Sequence, residues 1–252
     1  MNIPAYLERI HCPGAPRVDL SALAALMQGH LMEVPFENLS IHYQQPIVLD
    51  EDLLFAKVVQ HRRGGFCYEL NGLFAQLLQE LGFAVTLISA QVGTADGAFG
   101  PAFDHLALLV ALDEVYLVDI GFGDSFGRPL RVQERGPQGQ GSRAYKISRQ
   151  GAWYVLHEET PAGLEDGWKP VYRFTPQARQ LADFRPMCHY HQTSPSSHFT
   201  QKRVCSRATG DGRITLRDQR LIITRGAMRE ESAIRSEEEF LQALQTHFLI
   251  TI

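Results

Sequence analysis

Near residue 83 the apolar pattern of the chain changes period, and no all-helical or all-β fold can satisfy both sides of that change. Before it, apolar residues recur at helical spacing. In "DLSALAALMQGHLMEV", Leu20, Leu23, Leu26, Met27 and Leu31 share one face behind the cap Asp19, and Pro35 ends the run. "DEDLLFAKVVQHRR" is a second helix, capped by Asp50. A third begins near Cys67, with Leu70, Leu73, Phe74, Leu77, Leu78 and Leu81 on one side and Gly82 as its stop. Beyond residue 83 come short β-rich runs: "AVTLISAQV", "HLALLVAL", "EVYLVDIGF", "AYKIS", "AWYVLHEE" and "KPVYRF". "RVQERGPQGQGSR" between them reads as a loop. The last third mixes both patterns. "TPQARQLADF" is a helix after Thr175-Pro176, and "KRVCSRAT", Gly210-Asp211-Gly212, "RITL" and "RLIIT" form a hairpin region. A final helix, "SEEEFLQALQTHF", opens on a capping box of Ser236 and Glu239. The order is α, then β, then a smaller α/β part, dividing the chain at 1–83, 84–186 and 187–252.

Composition narrows the function classes. A net charge of −4 over 252 residues argues against a broad nucleic-acid-binding face. The longest apolar stretch, "LALLVALDEVYLVDIGF", is broken by Asp113, Glu114 and Asp119 and is no membrane span. The start, "MNIPAYLERIHC", has no apolar core of a secretion signal. Cys12, Cys67, Cys188 and Cys205 are scattered, which fits a reducing compartment better than a disulfide framework. A soluble cytoplasmic protein with no nucleic-acid or membrane partner is expected. Nothing in the sequence sets its oligomeric state.

The cysteine in "HRRGGFCYELNGLF" sits at a helix start, after Gly64-Gly65 and two arginines. The helix dipole and nearby cations favour thiolate, and glycines let backbone N–H groups approach a ligand. Cys67 therefore reads either as a nucleophile or as a small core residue. A thiolate nucleophile needs a base and an orienting acid. His105 opens one β run and Asp119 closes the next, and an antiparallel hairpin of the two sets His105 opposite residues 119–122. Each alone also reads as a surface histidine or a turn aspartate; the pair on one hairpin favours a shared role. Cys188, His189 and His191, with Cys205, match no common zinc spacing and read as a helix end with surface histidines, so no metal is expected. The glycines of "GFGDSFG" follow an antiparallel strand and read as turn residues.

"RGGFCYELN", "DHLALLV" and "VDIGFG", in that order, resemble the arylamine N-acetyltransferase family, as do "VPFENLSIHY" and "SPSSHFTQKRVCSRATGDG". The similarity spans nearly the whole chain. It implies an α+β fold: an N-terminal helical bundle with a cysteine-protease-like Cys-His-Asp core, a central β-barrel and a C-terminal α/β lid. It implies Cys67 as acyl acceptor, His105 as base and Asp119 as orienting acid, with Glu37 paired to Arg63 as a brace. Phe36 and Phe122 would border the acceptor pocket, and Gly123 and Thr209 the coenzyme A path. Acetyl-CoA would be a co-substrate, with no permanently bound cofactor. The acceptor would be an arylamine, arylhydrazine or N-hydroxyarylamine. Asp124 departs from the family pattern beside the site, and an end at Ile252 would lack the tail with which some relatives cover bound coenzyme A. The donor's phosphates require a locally basic surface, for which Lys202, Arg203 and Arg207 are the nearest cluster; Arg203 and Arg207, on one strand face that Lys202 does not share, are the candidates, and Arg128 and Arg131 the reserve. An amide synthase using a carrier-bound acyl chain, a cysteine hydrolase and an inactive binding module are the alternatives.

Overall fold

The computed structural model describes residues 1–252 apart from Pro13, Ala15 and 161–166. It is α+β. Thirteen strands are present among the described residues. In chain order they are β1 (Phe36–Glu37), β2 (Ala84–Val92), β3 (His105–Ala111), β4 (Val115–Val118), β5 (Leu130–Arg131), β6 (Gln138–Gln140) and β7 (Arg143–Gln150). Then follow β8 (Trp153–Glu159), β9 (Trp168–Phe174), β10 (Val204–Ala208), β11 (Gly212–Arg217), β12 (Arg220–Arg225) and β13 (Met228–Ala233).

The helices of the first third follow their caps. Asp19 accepts from the Ala22 N–H at the start of Leu20–Glu33, and Asp50 accepts from the Asp52 and Leu53 N–H groups at the start of Glu51–Phe55. That second helix widens into a π turn over Ala56–Gln60 and stops before His61, short of the expected end. The helix Cys67–Glu80 is nearly all buried, with Leu70, Leu73, Phe74, Leu77 and Leu78 in the main core.

Eight strands form one antiparallel sheet in the order β5-β4-β3-β2-β9-β8-β7-β6. It curls until its edges β5 and β6 face each other, and two glutamine amides close the seam. Gln138 accepts from the Arg131 N–H (2.8 Å) and donates to the Arg131 carbonyl (3.0 Å). Gln140 accepts from the Gly127 and Arg128 N–H groups (2.8 and 3.0 Å) and donates to the Arg128 carbonyl (2.9 Å). Side-chain amides thus stand in for the missing strand ladder. The stretch expected to be a loop holds β6 for this reason: its glutamines carry a strand edge rather than an apolar face.

The expected helix over "TPQARQLADF" is absent. The Arg179 N–H donates to the Leu87 carbonyl (2.9 Å), so this segment lies extended against β2. A 3₁₀ turn, Leu181–Phe184, then leads into the helix Arg185–Thr193 with Pro186 in its first turn. The last third forms a second sheet, β1-β10-β11-β12-β13, whose edge β1 comes from the helical third. Cys205 and Leu216 pack there against Phe240, Leu244 and Phe248 of the helix Glu237–Phe248. Strand β13 escaped the sequence reading because its residues are all exposed and show no burial alternation. Ser236 caps the last helix, but Glu239 reaches the Arg235 N–H, one residue earlier than a capping box requires. Among the described residues no helix is long and apolar enough to cross a membrane.

Replacing Gln140 with Ala removes three hydrogen bonds across the barrel seam. It should destabilise the fold by about 1–2 kcal/mol, read as a lower urea midpoint. An unchanged midpoint would show that the seam does not depend on that amide.

Candidate active site

The site is assembled where the helix Cys67–Glu80 meets the ends of β3 and β4. Cys67 is the first residue of that helix and is buried. Its N–H, in the first turn, has no intrahelical acceptor. The glycines before it serve a different purpose from the one expected. A Cβ on Gly64 would lie 1.9 Å from the Pro35 carbonyl oxygen, so only glycine lets this segment pass that strand. The Gly65 N–H donates to the Pro35 carbonyl, and the Glu37 N–H donates to the Gly65 carbonyl (2.8 Å). The glycine pair therefore clamps the nucleophile's approach segment to β1 instead of opening it to a ligand.

Arg63, the nearer of the two upstream cations, is also spent on the protein. Arg63 donates through Nε (3.0 Å) and lies 2.9 Å through Nη2 from Glu37 Oε1, and Glu37 Oε2 accepts from the Leu39 N–H (2.7 Å). Burial works against the Glu37 charge, yet Lys57 and Arg63 hold its carboxyl below the usual range. Lys57 itself donates to buried Glu69 (2.7 Å), which accepts from the Phe66 N–H (3.1 Å). These pairs fix the backbone around Cys67, and the cation that faces its sulfur is His105.

His105 Nε2 lies 2.7 Å from Asp119 Oδ2, and both residues are buried. The other ring nitrogen is left for the hydrogen bond with Cys67. Burial opposes the imidazolium, but the charge and hydrogen bond of Asp119, with Cys67 alongside, push the His105 pKa up to about 10. Asp119 is itself held: Oδ1 accepts from Asn71 Nδ2 (2.9 Å) and from the Gly121 N–H (3.0 Å). Asn71 also donates to the Leu106 carbonyl (2.7 Å) and accepts from the Ile120 N–H (3.0 Å), tying the nucleophile's helix to both strands. Gly121 passes so close that a Cβ there would be 2.7 Å from the Cys67 Cα. The hairpin has the expected sense, with Leu108 opposite Val118 and Val110 opposite Tyr116. Asn71 escaped the sequence reading. Its signal is its place one helical turn after Cys67, a polar amide on the helix face that also carries the nucleophile. Tyr172, buried with its ring 5.3 Å from that of His105, escaped it too.

Two cavities meet at Phe122. The first, about 350 Å³, is lined by Cys67, His105, Phe36, Phe122 and Phe199, with Lys202 and Arg217 also in its wall. The Phe122 ring stands edge-on to His105 at 5.2 Å. The second, about 680 Å³, holds Gly123 and Thr209, with five arginines against three aspartates in its lining. Arg203 and Arg207 are committed elsewhere. Arg203 binds Asp218 (2.6 Å) and Glu237 (2.8 Å) and covers the Phe240 ring, while Arg207 donates to the Met32 and His247 carbonyls. Cys205 between them is buried in the second core, which turns the Arg207 face inward. The opposite face of that sheet carries Arg213, Arg217, Arg220 and Arg229. Asp124 pairs with Arg143 (2.6 Å) and Arg213 (3.3 Å) in the larger cavity, away from the smaller one. His191 is buried rather than on the surface, 3.3 Å from Asp104 and 3.0 Å from Ser197 Oγ.

A family model described as N-acetyltransferase matches residues 19–252. The chain is 36% identical to the arylamine N-acetyltransferase of Mycolicibacterium smegmatis, covering 100% of this chain and 93% of that protein. It is 32% identical to proansamycin X synthase of Amycolatopsis mediterranei (strain S699), covering 95% and 94%. It superposes on the structure of Mycobacterium marinum arylamine N-acetyltransferase in complex with CoA with a TM-score of 0.89 at 29% identity, covering 99% and 93%.

The raised pKa of His105 has a consequence for stability. A histidine with a folded pKa of about 10 adds stability that is full below its unfolded value and fades as pH rises through the folded one. The stability difference between wild type and His105→Gln should therefore shrink between about pH 6.5 and pH 10, measured by urea unfolding across that range. A difference constant over the window would place the charge elsewhere.

Proposed function

The chain belongs to the arylamine N-acetyltransferase family, and from that membership we infer that it carries an acetyl group from acetyl-CoA to an aromatic amine, arylhydrazine or N-hydroxyarylamine. The observation that carries the mechanism is the buried Cys67–His105–Asp119 arrangement, with His105 charged beside the sulfur. The Cys67 thiolate attacks the thioester carbonyl carbon while Asp119 and Asn71 hold the imidazolium in place. The free Cys67 N–H stabilises the tetrahedral oxyanion. The C–S bond to coenzyme A breaks, and its sulfur leaves with the proton from His105. The acceptor nitrogen then attacks the acetyl-Cys67 carbonyl, His105 takes its proton, and the Cys67 thiolate returns with His105 protonated. In this reading residues 1–83 bring the nucleophile, 84–186 the base and acid, and 187–252 the donor cleft.

Phe36 and Phe122 form the acceptor wall, and Gly123 and Thr209 border the donor path. The donor's phosphates belong to the larger cavity, on Arg213, Arg220 and Arg229, which line it and would exchange their pairs with Asp124 and Glu231 for phosphate, whereas Arg203 and Arg207 do not line it. Free thiols at all four cysteines support a reducing, cytoplasmic setting, and a role in processing foreign aromatic amines fits that acceptor class. Similarity to proansamycin X synthase supports one second reading, an amide synthase fed by a carrier-bound acyl chain.

Two experiments test this. Acetyl-CoA without acceptor should add one acetyl group, on the peptide containing Cys67, and Asp119→Asn should slow that step by orders of magnitude. A label on Cys12, Cys188 or Cys205 would overturn the assignment, and refusal of small acyl thioesters would favour the amide synthase. Arg220→Glu and Arg229→Glu should each raise the KM for acetyl-CoA roughly tenfold, as the loss of a charged phosphate contact implies. Turnover of p-nitrophenyl acetate, which has no phosphates, should barely move. Unchanged acetyl-CoA kinetics would put the phosphates on another surface.

A further inference from the structure

The first turns of the nucleophile's helix grip the backbone on both sides of His105. Tyr68 and Asn71 stand three residues apart and share one face of the helix Cys67–Glu80. Asn71 donates to the Leu106 carbonyl (2.7 Å), just after His105. The Tyr68 hydroxyl reaches the backbone just before it, 2.7 Å from the Phe103 carbonyl oxygen and 3.2 Å from that of Asp104. A phenol has one hydrogen to give, so the Phe103 carbonyl takes the stronger bond and the Asp104 carbonyl shares it. His105 therefore sits between two backbone anchors, and both belong to the helix that begins with Cys67.

Both ends of the Tyr68 anchor are fixed. The Tyr68 ring is fully buried and walled by the rings of Phe66 (5.0 Å, edge-on), Phe184 (5.7 Å) and His191 (6.1 Å), which leaves its hydroxyl little freedom. Its acceptor, Phe103, has a φ of 64°, in the left-handed region that a bulky residue seldom adopts. Such a conformation persists only where its surroundings hold it. Here the Phe103 N–H donates to Ser89 Oγ (2.8 Å), its ring packs edge-on against Phe184 (5.2 Å), and the Arg179 guanidinium lies 5.0 Å from the ring. Tyr68 lines neither cavity, so its hydroxyl touches neither substrate. We propose that Tyr68 is a positioning residue for the acyl transfer: its hydroxyl and the Asn71 amide together set the imidazole of His105 against the Cys67 sulfur. This rests on the acyltransferase reading and adds a residue to it. Small misplacements of a reacting group are costly in rate, which is what makes a second anchor worth its strained acceptor.

The test is Tyr68→Phe, which removes one oxygen atom and keeps the ring. At saturating p-nitrophenyl acetate the burst of acetyl-Cys67 formation should slow about tenfold, the loss expected of one buried hydrogen bond, with the half-saturating concentration unchanged. Alkylation by iodoacetamide, read on the peptide containing Cys67, should slow at about pH 7 and return to the wild-type rate at about pH 9.5. That is above the free-thiol pKa of about 8.5, where thiolate forms without help from an aligned imidazolium. A fold that had merely loosened would not recover in this way. Tyr6→Phe is the control: its hydroxyl is as deeply buried, bonds nothing among the described residues, and should leave both rates at wild type. A Tyr68→Phe enzyme no slower than Tyr6→Phe, or one equally impaired at both pH values, would overturn the proposal. Iodoacetamide reads the Cys67–His105 pair without any acyl transfer. Absence of acetyl-Cys67 in wild type would therefore remove the acyltransferase reading, whereas a wild-type alkylation profile in Tyr68→Phe would remove this one alone.

Discussion

The rest of the site depends on one buried ion pair. Asp119 lies buried just past the end of β4, against the nucleophile's helix, where an unpaired carboxylate would be costly, and His105 at the neighbouring strand end supplies its counter-charge at 2.7 Å. That pair decides what Cys67 can be. A cysteine at a helix start is a weak nucleophile until something stabilises its anion. Here the stabilising cation is an imidazolium held charged by a carboxylate, which is in turn held by Asn71 and a backbone N–H. Each group in the chain is fixed by the next, and the last link, Asn71, returns to the nucleophile's own helix.

Close packing makes the alignment possible. Gly64 and Gly121 each lie where a single methyl group would collide with backbone, one under Pro35 and one against Cys67. The barrel is shut by glutamine amides because its edge strands are too short and too polar to pair directly. The charged pairs Arg63 with Glu37 and Lys57 with Glu69 hold the segment that leads into Cys67, because their carboxylates accept from the Leu39 and Phe66 N–H groups.

The triad was legible because each member interrupts a pattern: Cys67 at a loop-to-helix junction, His105 at the first residue of an apolar strand, and Asp119 just past the last residue of another. The period change at residue 83 likewise carried the order of helices and strands. What stayed hidden were features whose signal is not local. Asn71 looks like any polar residue on a helix until the strands that need its amide are in place. A second arginine face stayed hidden for a similar reason. Arg203 and Arg207 lie nearest Thr209 in sequence, but Cys205 is buried, and strand alternation then sends the Arg207 face toward the protein interior. Only pairing with β11 and β12 reveals that Arg213, Arg217, Arg220 and Arg229 share the outer face. The segment after Thr175 has helical composition, and a single hydrogen bond from Arg179 to β2 overrides it.

A ping-pong enzyme must present one sulfur to two unlike ligands, a polyanionic thioester and a small aromatic ring. The two cavities differ in polarity in a way that suits that task. The larger is lined by arginines, the smaller by rings, and Phe122 belongs to both while standing edge-on to His105. Arg217 also borders both. Adjoining cavities of this kind are used in turn, because coenzyme A departs before the acceptor reacts. Sequential occupancy thus lets the two cavities share a wall, with positive charge at an exposed rim, where solvation is cheap, while the reacting atoms stay among apolar walls.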